Sequence, residues 1–317
     1  MPCYRPLKAY RSSRIAREVH GAKEIVFNKK HSAPGTAMDL PCGRCIGCRL
    51  ERSRQWAMRC VHEASLYDKN SFITLTYANE YLPQNSTLVK DHFQRFMKYL
   101  RRDFGEGIRF FACGEYGEVC KNCTKSRKMC VCEKFLPSLG RPHYHACLFN
   151  FDFPDKEIST IRNGKQTWTS QILDNLWSMG RTELGSVEFE SAAYVARYIT
   201  KKQTGDREKN YGDRLPEFSL MSRRPGIGKG WYDQFKGDLY PKDHIHMRGI
   251  KMRAARYYDN LYDVENPEVM EQIKEKRSLF AKKINPFTIR KQLKLGEHAK
   301  RVSLRSTKRG YENGNDD

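Results

Sequence analysis

The chain lacks any run approaching the roughly 18 consecutive apolar residues of a membrane-spanning helix, so we expect no transmembrane segment. Its first residues contain no apolar stretch typical of a secretory leader, and we therefore expect a cytoplasmic protein. The nucleotide-binding pattern Gly-x4-Gly-Lys-Ser/Thr is missing, which excludes a helicase of the P-loop class. No segment repeats with a period of about 20 to 50 residues, which excludes solenoids and propellers.

Negative charge is scarce relative to positive charge. The 317 residues include 58 lysines and arginines but only 37 aspartates and glutamates, so the formal net charge is +21 and the pI is about 9.5. An excess of this size indicates an acidic partner, and nucleic acid is the simplest one. Hydrophobic residues make up 39% of the chain, which is enough for the core of one or two domains.

Cysteine is abundant for a chain without an export signal. Eleven cysteines in such a chain favour reduced thiols and metal binding over disulfides. The spacing Cys42-x-x-Cys45-x-x-Cys48 supplies three ligands of a predicted zinc site. Four residues are open as the fourth ligand: Cys3, Cys60, His62 and His31.

Local patterns predict an α+β fold, in which a central antiparallel sheet is flanked by helices. We place strands at 71–77, 108–113, 143–149 and 187–190, and helices at 49–67, from 91 onwards, at 170–179 and from 191 onwards. Composition suggests three parts: a basic, Cys-rich N-terminal region and helix at 1–69, a central domain at 70–204 with a Cys-rich insert at 119–139, and a basic C-terminal DNA-binding and helical region at 205–317 with a mobile tail.

A half-site for a divalent metal follows from two histidines in one predicted strand. Alternate residues of a strand share a face, so His143 and His145 point the same way. Mg²⁺ or Mn²⁺ usually needs a carboxylate as well. The neighbouring strand ends in an acidic turn, where Glu115 is the first candidate and Glu118 the second.

A tyrosine pair follows in a predicted helix. Tyr194 and Tyr198 are four residues apart and therefore share a helix face, together with Arg197, Lys201 and Lys202, while Ala192, Val195 and Ile199 would pack on the sheet. Tyrosine is a weak nucleophile, but a metal that neutralises a phosphate and a lysine that favours the phenolate would activate it. The pattern indicates phosphodiester chemistry through a tyrosine.

Three motifs now stand in a recognisable order: Phe-Ile-Thr-Leu-Thr at 72–76, His-Tyr-His at 143–145 and Tyr-x-x-x-Tyr-x-x-Lys at 194–201. In these motifs the chain resembles the HUH-endonuclease initiators of rolling-circle replication, most closely those of the gokushoviruses, single-stranded DNA phages of the microvirus group. Further stretches that look like this family lie at 41–49, 54–60, 114–117 and 222–230.

The resemblance implies an RRM-like HUH palm in which 70–204 is the endonuclease domain. It implies that one tyrosine cleaves one DNA strand at the origin and stays linked to the 5′ end, while the free 3′-OH primes a host polymerase and a host helicase unwinds the duplex. The second tyrosine then cleaves the regenerated origin, and the displaced strand circularises. We expect Tyr198 to act first, because single-tyrosine members share the Tyr-x-x-Lys spacing.

The chain departs from the family pattern just before His143. About 20 residues intervene between the Gly-Glu-Tyr-Gly turn and Arg-Pro-His, and they contain a Cys-x-x-Cys and a Cys-x-Cys pair. Four thiolates at this spacing predict a structural Zn²⁺ site on a β-hairpin. The predicted ligands are Cys120, Cys123, Cys130 and Cys132.

A second candidate for DNA contact is a loop that combines small residues, bases and aromatics. Glycines allow close approach to a phosphate, and an aromatic ring can stack on a base. The predicted DNA-binding residues are Arg223, Arg224, Lys229 and Trp231, with Tyr232 as an alternative stacking partner. The other His-x-His pair, His244 and His246, has no neighbouring tyrosine pair and is interpreted as structural.

Two alternatives to the initiator remain open. One is a zinc-stabilised protein that binds single-stranded nucleic acid without catalysis. The other is a related HUH enzyme, either a relaxase or a single-strand transposase.

Overall fold

The structure is a computed structural model that describes residues 3–13, 24–125, 129–133, 137–162, 165–201, 211–282 and 286–306. The chain divides into two compact units, one of residues 1–52 and 280–308 and one of residues 53–279 and 309–317. Mobility was expected for about the last 20 residues; those up to Ser306 belong instead to a helix, and those beyond 306 lie outside the described residues. None of the helices in the described ranges combines the length and the apolar character that a bilayer crossing needs.

The first unit contains a small antiparallel sheet and a long C-terminal helix. The sheet has the order β2-β1-β3, and its strands are β1 (Leu7–Arg11), β2 (Ile25–Val26) and β3 (Met38–Leu40). The helix is α8 (Pro286–Ser306). Its buried Glu297 accepts hydrogen bonds from Arg5 and Arg301, both at 2.8 Å, and the two guanidinium groups lower the pKa of this carboxyl against the opposing effect of burial.

The second unit is built on a seven-stranded antiparallel sheet with the order β10-β5-β6-β4-β9-β8-β7. Its strands are β4 (Asn70–Thr76), β5 (Arg109–Cys120), β6 (Pro137–Phe149), β7 (Glu157–Arg162), β8 (Lys165–Thr169), β9 (Thr182–Gly185) and β10 (Phe218–Met221). The predicted antiparallel sheet is confirmed. The predicted strands at 71–77, 108–113 and 143–149 correspond to β4, β5 and β6, of which the last two are longer than expected.

Helices cover both faces of this sheet. On one face, α2 (Lys90–Phe104) and α3 (Gln171–Leu176) pack on Ile73, Leu75 and Tyr144. The predicted apolar stripe of α2 is confirmed, since Phe93, Phe96, Met97 and Leu100 are all buried. On the other face, α1 (Ile46–Ala64) and α4 (Phe189–Lys201) pack on Phe72, Phe111 and Cys147.

A separate apolar cluster joins the remaining elements of the second unit. Tyr232, Tyr240 and Tyr258 lie at its centre and are almost completely buried. The elements are α5 (Lys229–Leu239), β11 (Ile245–Met247), β12 (Ile250–Met252), α6 (Arg256–Glu265) and α7 (Pro267–Lys282).

The prediction of a strand at 187–190 is wrong. The strand is β9, five residues earlier, and Phe189 already begins α4. Ser191 does not precede that helix but lies in its first turn, where its hydroxyl oxygen accepts a hydrogen bond from the main-chain N–H of Glu188 at 2.7 Å. Four residues of alternating character are too few to distinguish a strand from the start of a helix.

Candidate functional site

Three potential metal ligands meet on the sheet face that α4 covers. In the register of β5 and β6, Glu115 lies opposite His143, and His145 shares this face because it is two residues further along β6. Oε1 of Glu115 lies 2.7 Å from Nε2 of His143 and 3.1 Å from Nε2 of His145. One ligand atom from each residue lies within 4.8 Å of the others, and all three side chains are buried. We call these three residues the triad.

An oxygen atom holds the far nitrogen of each imidazole. Nδ1 of His143 lies 3.1 Å from the main-chain oxygen of Arg141, and Nδ1 of His145 lies 2.9 Å from Oγ1 of Thr74. Metal-bound histidines usually have such a partner, because it orients the ring and leaves Nε2 directed at the ion. Thr74 belongs to the Phe-Ile-Thr-Leu-Thr motif at 72–76, but no role at the metal site was predicted for it from the sequence.

The charge pattern of the triad fits a cation. A carbonyl oxygen can only accept a hydrogen bond, so Nδ1 of His143 carries a hydrogen, and if the ring is neutral its Nε2 presents a lone pair to Glu115. Two lone pairs 2.7 Å apart are compatible only if a positive charge accompanies them, either a proton or a metal ion. Two imidazoles and a carboxylate can therefore hold a divalent metal here.

Glu118, the second carboxylate candidate, lies away from the triad. The strand register shifts between Tyr116 and Glu118, so the alternation that brings Glu115 onto the histidine face does not continue. Glu118 pairs with Leu139 instead and is exposed. Of the two candidates, the structure brings only Glu115 to the histidines.

Tyr194 reaches the triad from α4. Its hydroxyl donates a hydrogen bond of 3.4 Å to Oε1 of Glu115, and its ring stands perpendicular to that of His145 at a centroid distance of 4.9 Å. The expectation that Tyr194 lies on or beside the helix face opposite Ala192 and Val195 is wrong, since Tyr194 is 6% exposed and belongs with them to the apolar cluster under α4. A phenol thus lies beside a site that can hold a metal.

Small residues bring α4 close to the sheet. Ala192, Val195 and Ala196 are completely buried against the strands that carry the triad. The main-chain oxygen of Ala193 also accepts a hydrogen bond of 2.9 Å from the hydroxyl of Ser53 in α1. This contact and the close packing fix the position of Tyr194 relative to Glu115.

The remaining predicted residues of the tyrosine helix lie largely outside the described residues. The helix backbone is described as far as Lys201, but the side chains of Arg197, Tyr198 and Lys201 are not, and Lys202 is not described at all. Their roles stay predictions from the sequence.

The insert is the end of the β5–β6 hairpin and gathers four thiols. These form the hairpin cluster: Cys120, Cys123, Cys130 and Cys132. The loop turns tightly, because the main-chain N–H of Thr124 donates to the carbonyl oxygen of Cys120 at 2.8 Å and the N–H of Cys120 to that of Lys125 at 2.8 Å. Its thiols crowd one another, and the neighbours Cys123 and Cys130 raise the pKa of Cys132 to about 12. A bound cation would relieve this crowding by accepting the thiolates.

Four other thiols, in the first unit, form the N-terminal cluster: Cys3, Cys42, Cys45 and Cys48. Of the four candidates for the fourth position, the structure brings Cys3 to the other three, with its Sγ 3.8 Å from Sγ of Cys45. Burial raises the pKa of Cys45, but main-chain N–H groups that include Tyr4 outweigh it and lower this pKa to about 7. Both clusters can hold a metal ion.

The predicted DNA-binding residues divide into two pairs. Arg223 and Arg224 are exposed, whereas Lys229 forms an ion pair with Asp233 within α5. Trp231 stacks on the imidazole of His62 at a centroid distance of 3.6 Å, so that face of the indole is occupied. Tyr232 is completely buried and unavailable for stacking on a base.

The glycines of this loop have a packing role. A Cβ atom at Gly226 would lie 2.6 Å from the hydroxyl of Tyr257, and one at Gly228 would lie 2.5 Å from the hydroxyl of Tyr258. Buried Glu63 also accepts a hydrogen bond of 2.6 Å from the N–H of Gly228. The loop is thus fastened to α1 and α6, with the two arginines at its surface.

The other histidine pair does not resemble the triad. His244 and His246 have ring centroids 5.3 Å apart, and Nδ1 of His244 lies 2.8 Å from the main-chain oxygen of Lys242. Across the described ranges, neither residue belongs to a group of three potential metal ligands.

Comparisons with known proteins agree on one kind of relative. A model of the family "Replication-associated protein ORF2/G2P" matches residues 70–203. Replication-associated protein VP4 of Bdellovibrio phage phiMH2K is 30% identical over 92% of this chain and 86% of its own length. Replication-associated protein ORF2 of Spiroplasma virus 4 is 32% identical over 89% of this chain and 88% of its own length. No solved structure matches the chain.

Proposed function

The chain belongs to the family of phage replication-associated proteins, and on that premise we propose that it initiates rolling-circle replication by nicking one strand of the viral DNA at its origin. The seven-stranded sheet would be the palm of an HUH endonuclease. The observation that carries the proposal is the meeting of Glu115, His143, His145 and the hydroxyl of Tyr194 within hydrogen-bonding distances.

The triad would hold Mg²⁺ or Mn²⁺. When bound, such an ion neutralises the scissile phosphate and stabilises the leaving oxygen. Glu115 and the two imidazoles are buried, and an oxygen atom holds Nδ1 of each imidazole, so their arrangement is fixed before DNA arrives. Preorganisation of this kind supports catalysis rather than simple DNA binding.

A tyrosine supplies the covalent chemistry. Its oxygen forms a bond to the scissile phosphorus while the bond from phosphorus to the 3′ oxygen breaks; the phenolic proton leaves to solvent, and the 3′ oxygen takes a proton from solvent. The 5′ phosphate stays on the tyrosine, and attack by a 3′-OH reverses the step and joins the ends. Tyr194 and Tyr198 are the two nucleophiles, with Tyr198 first, and Lys201 and Lys202 hold phosphate oxygens.

Structural zinc would occupy both cysteine clusters. Four thiols within reach of one another support this in each case. Metal analysis of the purified chain should give two zinc ions per molecule, and Cys123→Ser/Cys132→Ser should give one, whereas Cys60→Ala, which alters a thiol outside both clusters, should keep two. A zinc-free wild-type protein would remove both assignments.

The remaining partners follow from the same proposal. Single-stranded origin DNA is the substrate, and Arg223 and Arg224 contact its phosphates. A host polymerase extends the 3′-OH and a host helicase unwinds the duplex, so the protein would act in the cytoplasm of the bacterial host.

A covalent adduct tests the proposal. Single-stranded fragments that tile the genome encoding the chain are incubated with protein and Mn²⁺, and denaturing gels reveal protein that has gained DNA. We expect an adduct with one fragment for wild type and for Tyr99→Phe, which alters an exposed tyrosine of α2. Tyr194→Phe/Tyr198→Phe should give none. Wild type without an adduct, or an adduct that persists in the double variant, would contradict the mechanism.

A further inference from the structure

The two histidines of the triad have different partners behind them. His143 faces a main-chain carbonyl oxygen at 3.1 Å, which can only accept a hydrogen bond. His145 faces the hydroxyl of Thr74 at 2.9 Å, which can either donate or accept. Nδ1 of His143 therefore carries a hydrogen with or without a metal, whereas the tautomer of His145 depends on how the Thr74 hydroxyl is turned.

Without a metal, the contacts of His145 favour one tautomer. Nε2 lies 3.1 Å from the carboxylate oxygen of Glu115, so a hydrogen on Nε2 makes a hydrogen bond to a charged acceptor. Nδ1 then has a lone pair, and the Thr74 hydroxyl donates to it. A metal requires the reverse arrangement, because it needs the lone pair on Nε2 and the hydrogen on Nδ1.

We propose that Thr74 is a positioning residue for the metal site, whose hydroxyl changes from donor to acceptor so that His145 can present Nε2 as a ligand. The proton balance closes, since the ring loses one proton from Nε2 to solvent and gains one from solvent at Nδ1, while Thr74 keeps its own hydrogen. Thr74 is only partly buried, so water can accept the hydrogen that its hydroxyl then carries. This role rests on the proposed function of the triad and adds a residue to it.

The register of β4 and β6 makes Thr74 suited to this position. It lies directly opposite His145 across the β4–β6 pair, on the face that carries the triad. Thr76, two residues further along, lies opposite His143 on the same face, but its hydroxyl donates to the main-chain oxygen of Arg181 at 2.9 Å. The two threonines thus form a matched pair: the Thr74 hydroxyl hydrogen-bonds to an imidazole, whereas the Thr76 hydroxyl donates to a main-chain oxygen.

Three variants test the role through Mn²⁺ affinity, measured by electron paramagnetic resonance of free Mn²⁺ during titration. Thr74→Val keeps the shape and strand preference but removes the hydroxyl, and we expect the Kd for Mn²⁺ to rise about 10- to 100-fold. Thr74→Ser restores a hydroxyl and should stay within about threefold of wild type. Thr76→Val makes the same change beside the other histidine and should also stay within about threefold.

The outcomes separate this inference from the proposed function. If Thr74→Val binds Mn²⁺ as wild type does, or if Thr74→Ser is as weak as Thr74→Val while circular dichroism shows both folded, Thr74 does not position His145, although the nickase proposal stands. If wild type binds no Mn²⁺, or if His143→Ala binds Mn²⁺ as tightly as wild type does, both the role of Thr74 and the proposed function are contradicted. A covalent adduct with wild-type protein, together with weaker Mn²⁺ binding by Thr74→Val, would support both the proposed function and the role of Thr74.

Discussion

At the scale of single residues, one carboxylate oxygen organises the candidate site. Oε1 of Glu115 is within 3.4 Å of three groups: both imidazole Nε2 atoms and the hydroxyl of Tyr194. A carboxylate that contacts both imidazoles and a tyrosine hydroxyl would set the charge at the point where, in the proposed function, a phosphate binds. Removal of that charge should therefore affect metal affinity and chemistry together.

Glu115→Gln should weaken Mn²⁺ binding by more than about 100-fold, because an amide oxygen replaces the only carboxylate of the triad. Glu118→Gln removes the same charge three residues later on the same strand and should change the Kd by less than about threefold. Titration with Mn²⁺ compares the two. An equal loss of Mn²⁺ affinity in both variants would show that the net charge of the strand matters, and that Glu115 does not bind the ion directly.

Much of this site could be predicted from sequence because strand alternation is a local property. His143, His145 and Glu115 needed only a period of two and a neighbouring acidic turn. Thr74 could not be found in that way, since its contact with His145 depends on the pairing of β4 with β6. Pairing between strands some 70 residues apart leaves no local signal.

His62 allows a pH test at the residue scale. Burial lowers its pKa from 6.5 to about 3, so the folded protein holds it neutral while the unfolded chain protonates it below about pH 6.5. Its contribution to the free energy of unfolding should thus fall by about 1.4 kcal/mol per pH unit as the pH drops from about 6.5 towards 3.

Urea unfolding of wild type and His62→Phe between pH 7 and 5 measures this effect. The phenyl ring keeps the stack on Trp231 but cannot titrate, so the variant should lose less stability on acidification, by up to about 2 kcal/mol. If the free energies of unfolding of the two proteins fall equally with pH, His62 is already accessible to protons in the folded state.

At the scale of elements, the β5–β6 hairpin carries both the triad of potential metal ligands and the hairpin cluster of four thiols. Glu115 and His143 face each other near its middle, and Cys120 pairs with Pro137 where the cysteine loop begins. The hairpin was predictable from its two apolar strands and its turn-rich insert. The register shift after Tyr116, which separates Glu115 from Glu118, was not.

Another hairpin was missed although the sequence contains its signal. Strands β7 and β8 pair on either side of an Asn-Gly dipeptide at 163–164, a pair that favours two-residue hairpin turns. The helix α4 was predicted, but its buried face was predicted too narrow. That face includes Tyr194 in addition to Ala192 and Val195. The polarity of a tyrosine does not predict that it is buried when its hydroxyl has a hydrogen-bond partner inside the protein.

The start of α5 gives a prediction about stability. Gly228 has a φ of +81°, and a Cβ there would lie 2.5 Å from the hydroxyl of Tyr258, so Gly228→Ala should destabilise the fold by about 2 kcal/mol or more. Gly237→Ala is the control within the same helix, where a Cβ meets nothing within 4 Å, and it should stabilise by about 0.5 to 1 kcal/mol. Urea unfolding measures both, and equal effects would contradict a specific role for Gly228.

At the scale of the whole molecule, the excess of positive charge follows directly from the sequence. The division into compact units does not. Composition suggests boundaries near 69 and 204, whereas one compact unit joins residues 1–52 to 280–308. Contacts such as that of Arg5 with Glu297 connect segments almost the whole chain apart. Such pairs have no compositional signature.

The net charge of +21 predicts DNA binding that weakens steeply with salt. Each phosphate contact on a single strand contributes about −0.7 to the slope of log K against log salt, so Arg223→Ala/Arg224→Ala should reduce the slope by about 1.4. Arg102→Ala, an exposed arginine already paired with Asp103 at 2.6 Å, is the control and should change the slope little. Fluorescence anisotropy with labelled single-stranded DNA gives the slopes, and an unchanged slope in the double variant would exclude these arginines from the interface.

The most direct measurement is to map the amino acid that carries DNA after reaction. Wild-type protein, Mn²⁺ and the reactive single-stranded fragment are combined, the adduct is digested with nuclease and protease, and the modified peptide is sequenced by mass spectrometry. We expect a 5′-linked nucleotide on Tyr194 or Tyr198, and its loss in Glu115→Gln. Modification of any other residue, or cleavage of the DNA without a covalent link, would contradict a tyrosine nickase built on Glu115, His143 and His145.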